Sequence, residues 1–510
     1  MSAVAVFGVE VTVNGRTWRP DRERLLTVRV ASRLGQPTQC ELAFAHEAGS
    51  GAWPSGWPLG ATITVRVRGE AADVFAGEIT CVELVRTAGP LAARVRAYDV
   101  LHRLRKRQQP RVFTDITAAE LAEELVAGLG VRVRSAHAGP RLDRVVQHRQ
   151  TDFELLVEVC AAAGLYPIVR GGTLHLVSLA GSSAIGDGPV TLRLGSSLWE
   201  ARVEANLDRA ARRVAATGWH PQRAETFSHE ADAPRSGRTS RASADPGATG
   251  VEGVAVLVDQ PGRSLAAVTE LAQSTLDIRA AGAVTLQGVA AGDAGLWAGG
   301  LVDVRGLDDE VDGRYVLTGA THTVDGRGYQ CAFTTAPPEP PPAPVASAVT
   351  LGRVTAVDDP DGLGRVRVSL PALGDVDAGW LAVLCPGAGP GRGIVALPDR
   401  GDTVLVAMPH SSPADAVVLG SLYGTNRPAD SGVDGGSVRR WSLHTAGGQS
   451  IVVDDAKRRL RLENTSGSYV ELDPDTVRLH ATTDLVIDAP GHAMTIRAAS
   501  VDFEHAPLPM

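Results

Sequence analysis

The sequence predicts a mainly β chain of several domains whose last domain completes its core only by oligomerising. Three observations carry this. Short strands with period-2 alternation fill residues 1–113 and 190–335. Strands punctuated by glycine and proline fill 347–430. Apolar-x-apolar triplets recur through 441–505 at intervals too close for any other element.

The first β region opens with FGVEVTVNGRTW, where Asn14-Gly15 is a strong hairpin signal. Further strands follow in LLTVRVASRL, CELAFAHE, TITVRVRGEAADVFAGEITCVELVRT and LAARVRAYDVL, so residues 1–113 are expected to form a barrel or sandwich. The pattern then changes. Thr117 with Glu120 makes a capping box ahead of Leu121, Leu125 and Leu129 at helical spacing. Thr151 or Asp152 starts a second helix in which Phe153, Leu156, Val157 and Cys160 share a face and Gly164 suits the C-cap. VRVRS and GGTLHLVSL read as strands, which makes residues 114–189 an α/β insert.

Residues 190–335 return to strands. SLAAVTELAQSTLDIRAAG is expected to be a helix capped by Ser264, and the polar stretch 222–250 is expected to be a mobile loop. Residues 64–84 and 302–324 echo one another: a strand, an arm of loop after Arg-Gly, an aromatic strand ending at Gly77 or Gly319, and a further strand. Two related β domains separated by the insert account for this. APPEPPPAPVA at 336–346 is a stiff, extended linker.

Residues 347–430 contain the strands GRVTAVDD, GRVRVSLP, WLAVLC, GIVALP, DTVLVAMP and AVVLGSLY, which suit a small Greek-key barrel of the OB type. In order, Gly352-Arg353-Val354, Asp359-Pro360, Gly364-Arg365-Val366, Trp380, Gly393, Pro398, Gly401-Asp402 and Val418-Leu419-Gly420-Ser421-Leu422-Tyr423 resemble the OB-fold domain of VgrG proteins and phage baseplate spikes. Thr403 departs from the acidic residue common there. Each of these positions also has a local reason as a turn or a core residue, so they read as fold determinants and not as chemistry.

The resemblance implies that the first 335 residues are two tube-like β-barrel hub domains with the α/β insert between them. Three chains would then make a pseudo-sixfold ring that sits on a sixfold tube. It implies a homotrimer whose partners are the inner tube protein, baseplate components, a PAAR-like tip protein at the C-terminal end, and effector cargo.

Residues 431–510 hold the triplets Trp441/Leu443, Ile451/Val453, Leu460/Leu462, Val470/Leu472, Val477/Leu479, Leu485/Ile487, Met494/Ile496 and Val501/Phe503. Within each, the outer residues face one way and the middle residue the other. A monomeric antiparallel meander would need a second sheet to cover its apolar face, and no sequence remains to supply one. A single-chain parallel β-helix would have a marginal core. A trimeric β-helix, or β-prism, turns every triplet inward and pairs strand edges between neighbouring chains, over a length of about 35–40 Å. The expected role is the puncturing spike of a contractile injection system.

Composition narrows the alternatives. The net charge of −8 disfavours nucleic acid as a partner. No apolar run approaches a membrane-spanning length, and the N-terminus lacks the pattern of a signal peptide, so synthesis in the bacterial cytoplasm and incorporation into a particle, in some systems released from the cell, are expected. Cys40, Cys81, Cys160, Cys331 and Cys385 form no metal-ligand spacing and read as buried thiols. GxSxG, HExxH and P-loop motifs are absent, and no catalytic, cofactor-binding or metal residue is assigned. His505 alone continues the inward parity of Val501 and Phe503, where three copies would converge on the axis as metal ligands. Two rival functions are a cell-wall-degrading enzyme with its site in 114–180 or 222–250, and a carrier that binds an effector through the same segments.

Overall fold

Alternating apolar residues in the hub segments bury one face of a continuous sheet. The computed structural model describes residues 8–18, 25–45, 57–85, 92–185, 188–220, 225–250, 253–260, 264–339 and 347–502. It divides into two units, one ending at Leu422 and one beginning at Tyr423.

Eight hub strands lie side by side in the order Leu198–Ala205, Val284–Ala291, Gly328–Thr334, Gly319–Asp325, Leu25–Arg33, Gln39–Ala45, Ala92–Tyr98 and Phe75–Val85. Every neighbouring pair is antiparallel. One register row crosses all eight: Leu198, Ala290, Cys331, His322, Val30, Cys40, Ala97 and Ile79. All eight residues are buried. The sequence echo thus becomes two four-stranded halves of identical order, joined where Gly319–Asp325 pairs with Leu25–Arg33. The halves share one ladder instead of closing as separate sheets. Beyond the first half, Thr62–Val67, Val9–Val13 and Arg16–Trp18 extend the sheet; Asn14 and Gly15 both adopt positive φ in the hairpin turn, as Asn-Gly predicts.

The expected capping box of the insert forms, and a second one, not singled out in the sequence, starts the other helix. Thr117 and Glu120 start α1 (Ala118–Val126), and Thr151 and Glu154 start α2 (Asp152–Ala162). Gly164 follows α2 with φ +64°. A three-stranded sheet, Tyr166–Arg170, Thr173–Val177 and Arg132–Ser135, packs Val169, Leu174 and Val133 against the two helices. Ser264 caps α3 (Leu265–Ala283).

The expected mobile loop at 222–250 needs correction. Glu225–Ala231 is a strand paired with Arg213–His220. The chain after it is a strap tied to three places. Arg235 binds Asp277 at 2.8 Å and Glu270 at 2.6 Å on α3, the Thr239 N–H donates to Arg314 O, and the Ala242 N–H donates to Glu310 O. Its polar composition is consumed by these long-range bonds, which composition alone does not reveal.

Residues 348–422 form five strands with the connectivity of an OB fold. Ala348–Ala356 lies between Val366–Leu370 and Thr403–Met408, with Val376–Leu381 and Val417–Leu422 outside them. Parallel contact of Val383 with Val418 closes the ring. The expected strand GIVALP is not one. Closure leaves no vacant edge for it, and Ile394 and Val395 lie exposed in an irregular segment.

Of the five cysteines, Cys40, Cys160 and Cys331 are buried, whereas Cys81 and Cys385 are half-buried and depart from the expectation. Burial pushes the Cys160 thiol up to about 12. No helix among the described residues is long and apolar enough to cross a membrane.

Candidate assembly surfaces

In the C-terminal unit, the strands Arg440–His444, Ser450–Asp454, Arg459–Glu463, Tyr469–Leu472 and Val477–His480 pair in sequence as an antiparallel meander. This corrects the expected pairing between chains for these strands. The turns between triplets, such as Thr445–Gln449 and Asp473–Thr476, each reverse the chain within a few residues, so each strand meets its own successor. The triplet parity holds. One face carries two rows, Trp441-Val453-Leu460-Leu472-Val477 and Leu443-Ile451-Leu462-Val470-Leu479. Nine of these ten residues are 36–77% exposed.

The opposite face satisfies itself. Arg461 binds Glu463 at 2.8 Å and Glu471 at 2.9 Å, Arg459 binds Glu471 at 3.3 Å, and the Arg461 guanidinium lies 3.8 Å from the Tyr469 ring centroid. Tyr469 stacks on His480. Of the two faces, the apolar one has no partner within the meander. Leu485/Ile487 and Met494/Ile496 are also exposed, and no strand is present after His480 among the described residues. Phe503 and His505 lie outside the described residues, where no metal-competent cluster of His, Cys, Asp or Glu was found among those that are described.

The hub ladder presents two further surfaces. Leu198–Ala205 pairs on one side only, with Val284–Ala291. At the other end, Phe75–Val85 is flanked by Thr62–Val67 only as far as Glu78. Ile79 still exchanges backbone hydrogen bonds with Gly60 and Ala61, and beyond it the strand pairs only with Ala92–Tyr98, which leaves a second open edge among the described residues.

The residues that carry the family resemblance are structural. Asp359 accepts N–H bonds from Asp361, Leu363 and Arg365, and its carboxylate holds the Arg365 guanidinium at 2.6 Å. These bonds hold its carboxyl well below the usual range. The Asp-Pro…Gly-Arg spacing is therefore the signature of a closed turn. One contact that the sequence did not announce ties the insert to this barrel: Arg144 of the Leu142–Gln147 strand lies 3.5 Å from the Asp377 carboxylate, and Val146 packs with Val376 and Ala414.

The family model described as phage tail baseplate hub (GPD) matches residues 32–327, more than half of the chain. The chain belongs to the phage tail baseplate hub family. A second model, the type VI secretion system/phage-baseplate injector OB domain, matches residues 350–423 of this hub protein. Among solved structures, the E. coli c3393 protein is described as a component of the type VI secretion system with structural similarity to T4 bacteriophage tail proteins gp27 and gp5. It is 14% identical to the hub protein with a TM-score of 0.52, covering 81% of this chain and 99% of that one. A lidded Francisella PdpA-VgrG complex is 8% identical with a TM-score of 0.55, covering 93% of this chain and 80% of that one. At such identities the likeness shows the fold. No curated protein sequence matches. The hub protein is thus a mainly β baseplate hub of phage or type VI secretion type with an injector OB domain, a component of an assembled particle.

Proposed function

We propose that three copies of this chain form the hub-spike at the tip of the inner tube of a contractile injection system, fitting a sixfold tube to a threefold spike and puncturing the target envelope. The observation that carries this is the uncovered pair of apolar rows on the C-terminal meander. Three such faces turned toward one axis would bury all of them, while the self-paired Arg/Glu faces remain in water. Each chain then contributes a whole face of the prism instead of alternating strands. The hub supports the same stoichiometry. Its two equivalent halves already join antiparallel inside one chain. The same junction repeated between chains would pair the open Phe75–Val85 edge with the Leu198–Ala205 edge of the next copy and close a ring of six halves.

Under this reading the domains run 1–113, 114–189, 190–335, 336–346, 347–430 and 431–510. The partners are the inner tube protein, baseplate components and a PAAR-type tip protein. Effector cargo is a further partner class, in line with a structural neighbour seen as a PdpA-VgrG complex. The native mass of the purified full chain tests the core of the proposal. Three chains are expected, and a monomer at micromolar concentration would overturn it.

A further inference from the structure

The sheet of the insert has a second face. Parallel pairing sets Arg132 beside Thr173 and Arg134 beside His175, and antiparallel pairing sets Thr173 beside Arg170. Because side chains alternate along a strand, these residues share the face that is turned away from α1 and α2. They line a cavity of about 540 Å³ whose far wall carries Glu70 and Asp293.

Those two carboxylates are already engaged. Glu70 accepts the Ala294 N–H at 2.9 Å, and Asp293 accepts the Gly295 N–H at 2.7 Å. Arg170 is also fixed, donating to Ala294 O at 2.6 Å with its guanidinium 4.7 Å from the Trp297 ring centroid. Arg132 and Arg134 are exposed and enter no ion pair among the described residues. Burial, with Arg134 and Arg170 nearby, lowers the His175 pKa.

Ala72, Arg170 and Gly171 also line an adjoining cavity of about 460 Å³, with Phe75, Val131 and Val169 in its walls beside Asp73, Glu78, Asp99 and Arg103. Asp73 pairs with Arg66, Glu78 with Arg103 and His102, and Asp99 accepts the Leu101 N–H. Trp297 lines it as well. This residue is 4% exposed, and its indole N–H has no acceptor among the described residues. The cleft therefore offers, at one end, two arginines outside any ion pair among the described residues and, at the other, apolar walls beside already engaged polar groups, with a buried donor in the second cavity's lining.

We infer that this cleft docks an extended segment of a partner protein in which acidic residues lie next to an apolar one. The acidic side chains meet Arg132 and Arg134, the apolar side chain fills the half lined by Phe75 and Val131, and a main-chain carbonyl accepts the Trp297 N–H. A free inorganic anion would use the first contact alone and leave the apolar half and the indole unserved. The inference rests on geometry within one chain.

The test uses the full chain and a fluorescein-labelled peptide Ser-Leu-Asp-Asp-Ser, read by anisotropy. Saturable binding is expected. It should weaken at least about tenfold in the R132E/R134E variant and to a similar extent when the peptide aspartates become asparagines, and about fivefold in Trp297→Phe or when the peptide leucine becomes serine. Arg132 and Arg134 are exposed, so their replacement leaves the fold intact, and Arg149→Glu, an exposed arginine outside the cleft, should bind as the wild type does. Equal binding by the charge-reversed chain, or no binding up to about 1 mM, overturns the inference. So does a peptide whose leucine is dispensable and which pyrophosphate displaces at equal concentration, since that result describes a simple anion site.

Discussion

Replacing Leu462 by aspartate separates a surface sheet from an assembled one. Leu462 lies mid-row between Ile451 and Val470 and is 41% exposed within a single chain. If that exposure persisted in solution, a carboxylate there would meet water and cost the meander little. If three rows converge on an axis, three carboxylates are desolvated at one level with no cation among the row residues. Several kcal/mol per buried charge gives on the order of 10 kcal/mol for the trimer, roughly seven orders of magnitude in the assembly constant. Native mass spectrometry or sedimentation at micromolar concentration should find L462D monomeric, with its far-ultraviolet circular dichroism near that of the wild type. Ser442→Asp, on the opposite face, should remain trimeric. An L462D protein that stays trimeric with unchanged melting would refute the reasoning.

His322 is buried and neutral: its Nε2–H donates to Leu296 O, Nδ1 accepts the Tyr329 hydroxyl, and its pKa is pushed down to about 4, chiefly by burial. The unfolded chain takes up this proton below about pH 6.5, so stability falls as pH drops from there to 4, by roughly 3 kcal/mol from this group. Burial of Asp99 holds its carboxyl up at about 6 and contributes in the opposite sense, so the comparison of H322N with the wild type, by melting across that range, isolates the histidine. Asp359→Asn breaks the part-buried, charge-assisted pair with Arg365 and should cost about 1–2 kcal/mol, seen as faster hydrogen exchange in Val366–Leu370; unchanged protection would show the turn stands without it. Thr151→Ala removes the α2 cap, about 1 kcal/mol, and should raise exchange of the Glu154 amide about fivefold.

Local chemistry was legible in the sequence. The Thr117 capping box, the helix start at Thr151 or Asp152, the Ser264 cap, the Asn14-Gly15 turn and the parity of the triplets all act within a few residues, and each formed where its residues stood. The OB-type segment was legible through turn residues at fixed offsets, although Ile394 and Val395 had the composition of a strand. What excluded them was a ring already closed by Val383 and Val418. The arginines of the cleft were visible only as the alternation VRVRS, an ordinary strand pattern that does not say what its polar face will confront.

The sequence by itself determined the three capped helices, the Asn14-Gly15 turn, most of the strands, and that the C-terminal triplets present one apolar and one polar face. Those properties depend on side-chain period and on backbone preferences of neighbouring residues. Only the tertiary structure decided that Gly319–Asp325 would pair with Leu25–Arg33 across nearly three hundred residues and fuse two repeats into one ladder, that the 232–245 strap would be tied to α3 through Arg235, and that the first five triplets would pair in sequence within their own chain. Strand edges carry the same N–H and C=O groups whatever the side chains, so partner choice is settled by which edges remain open once the core has packed.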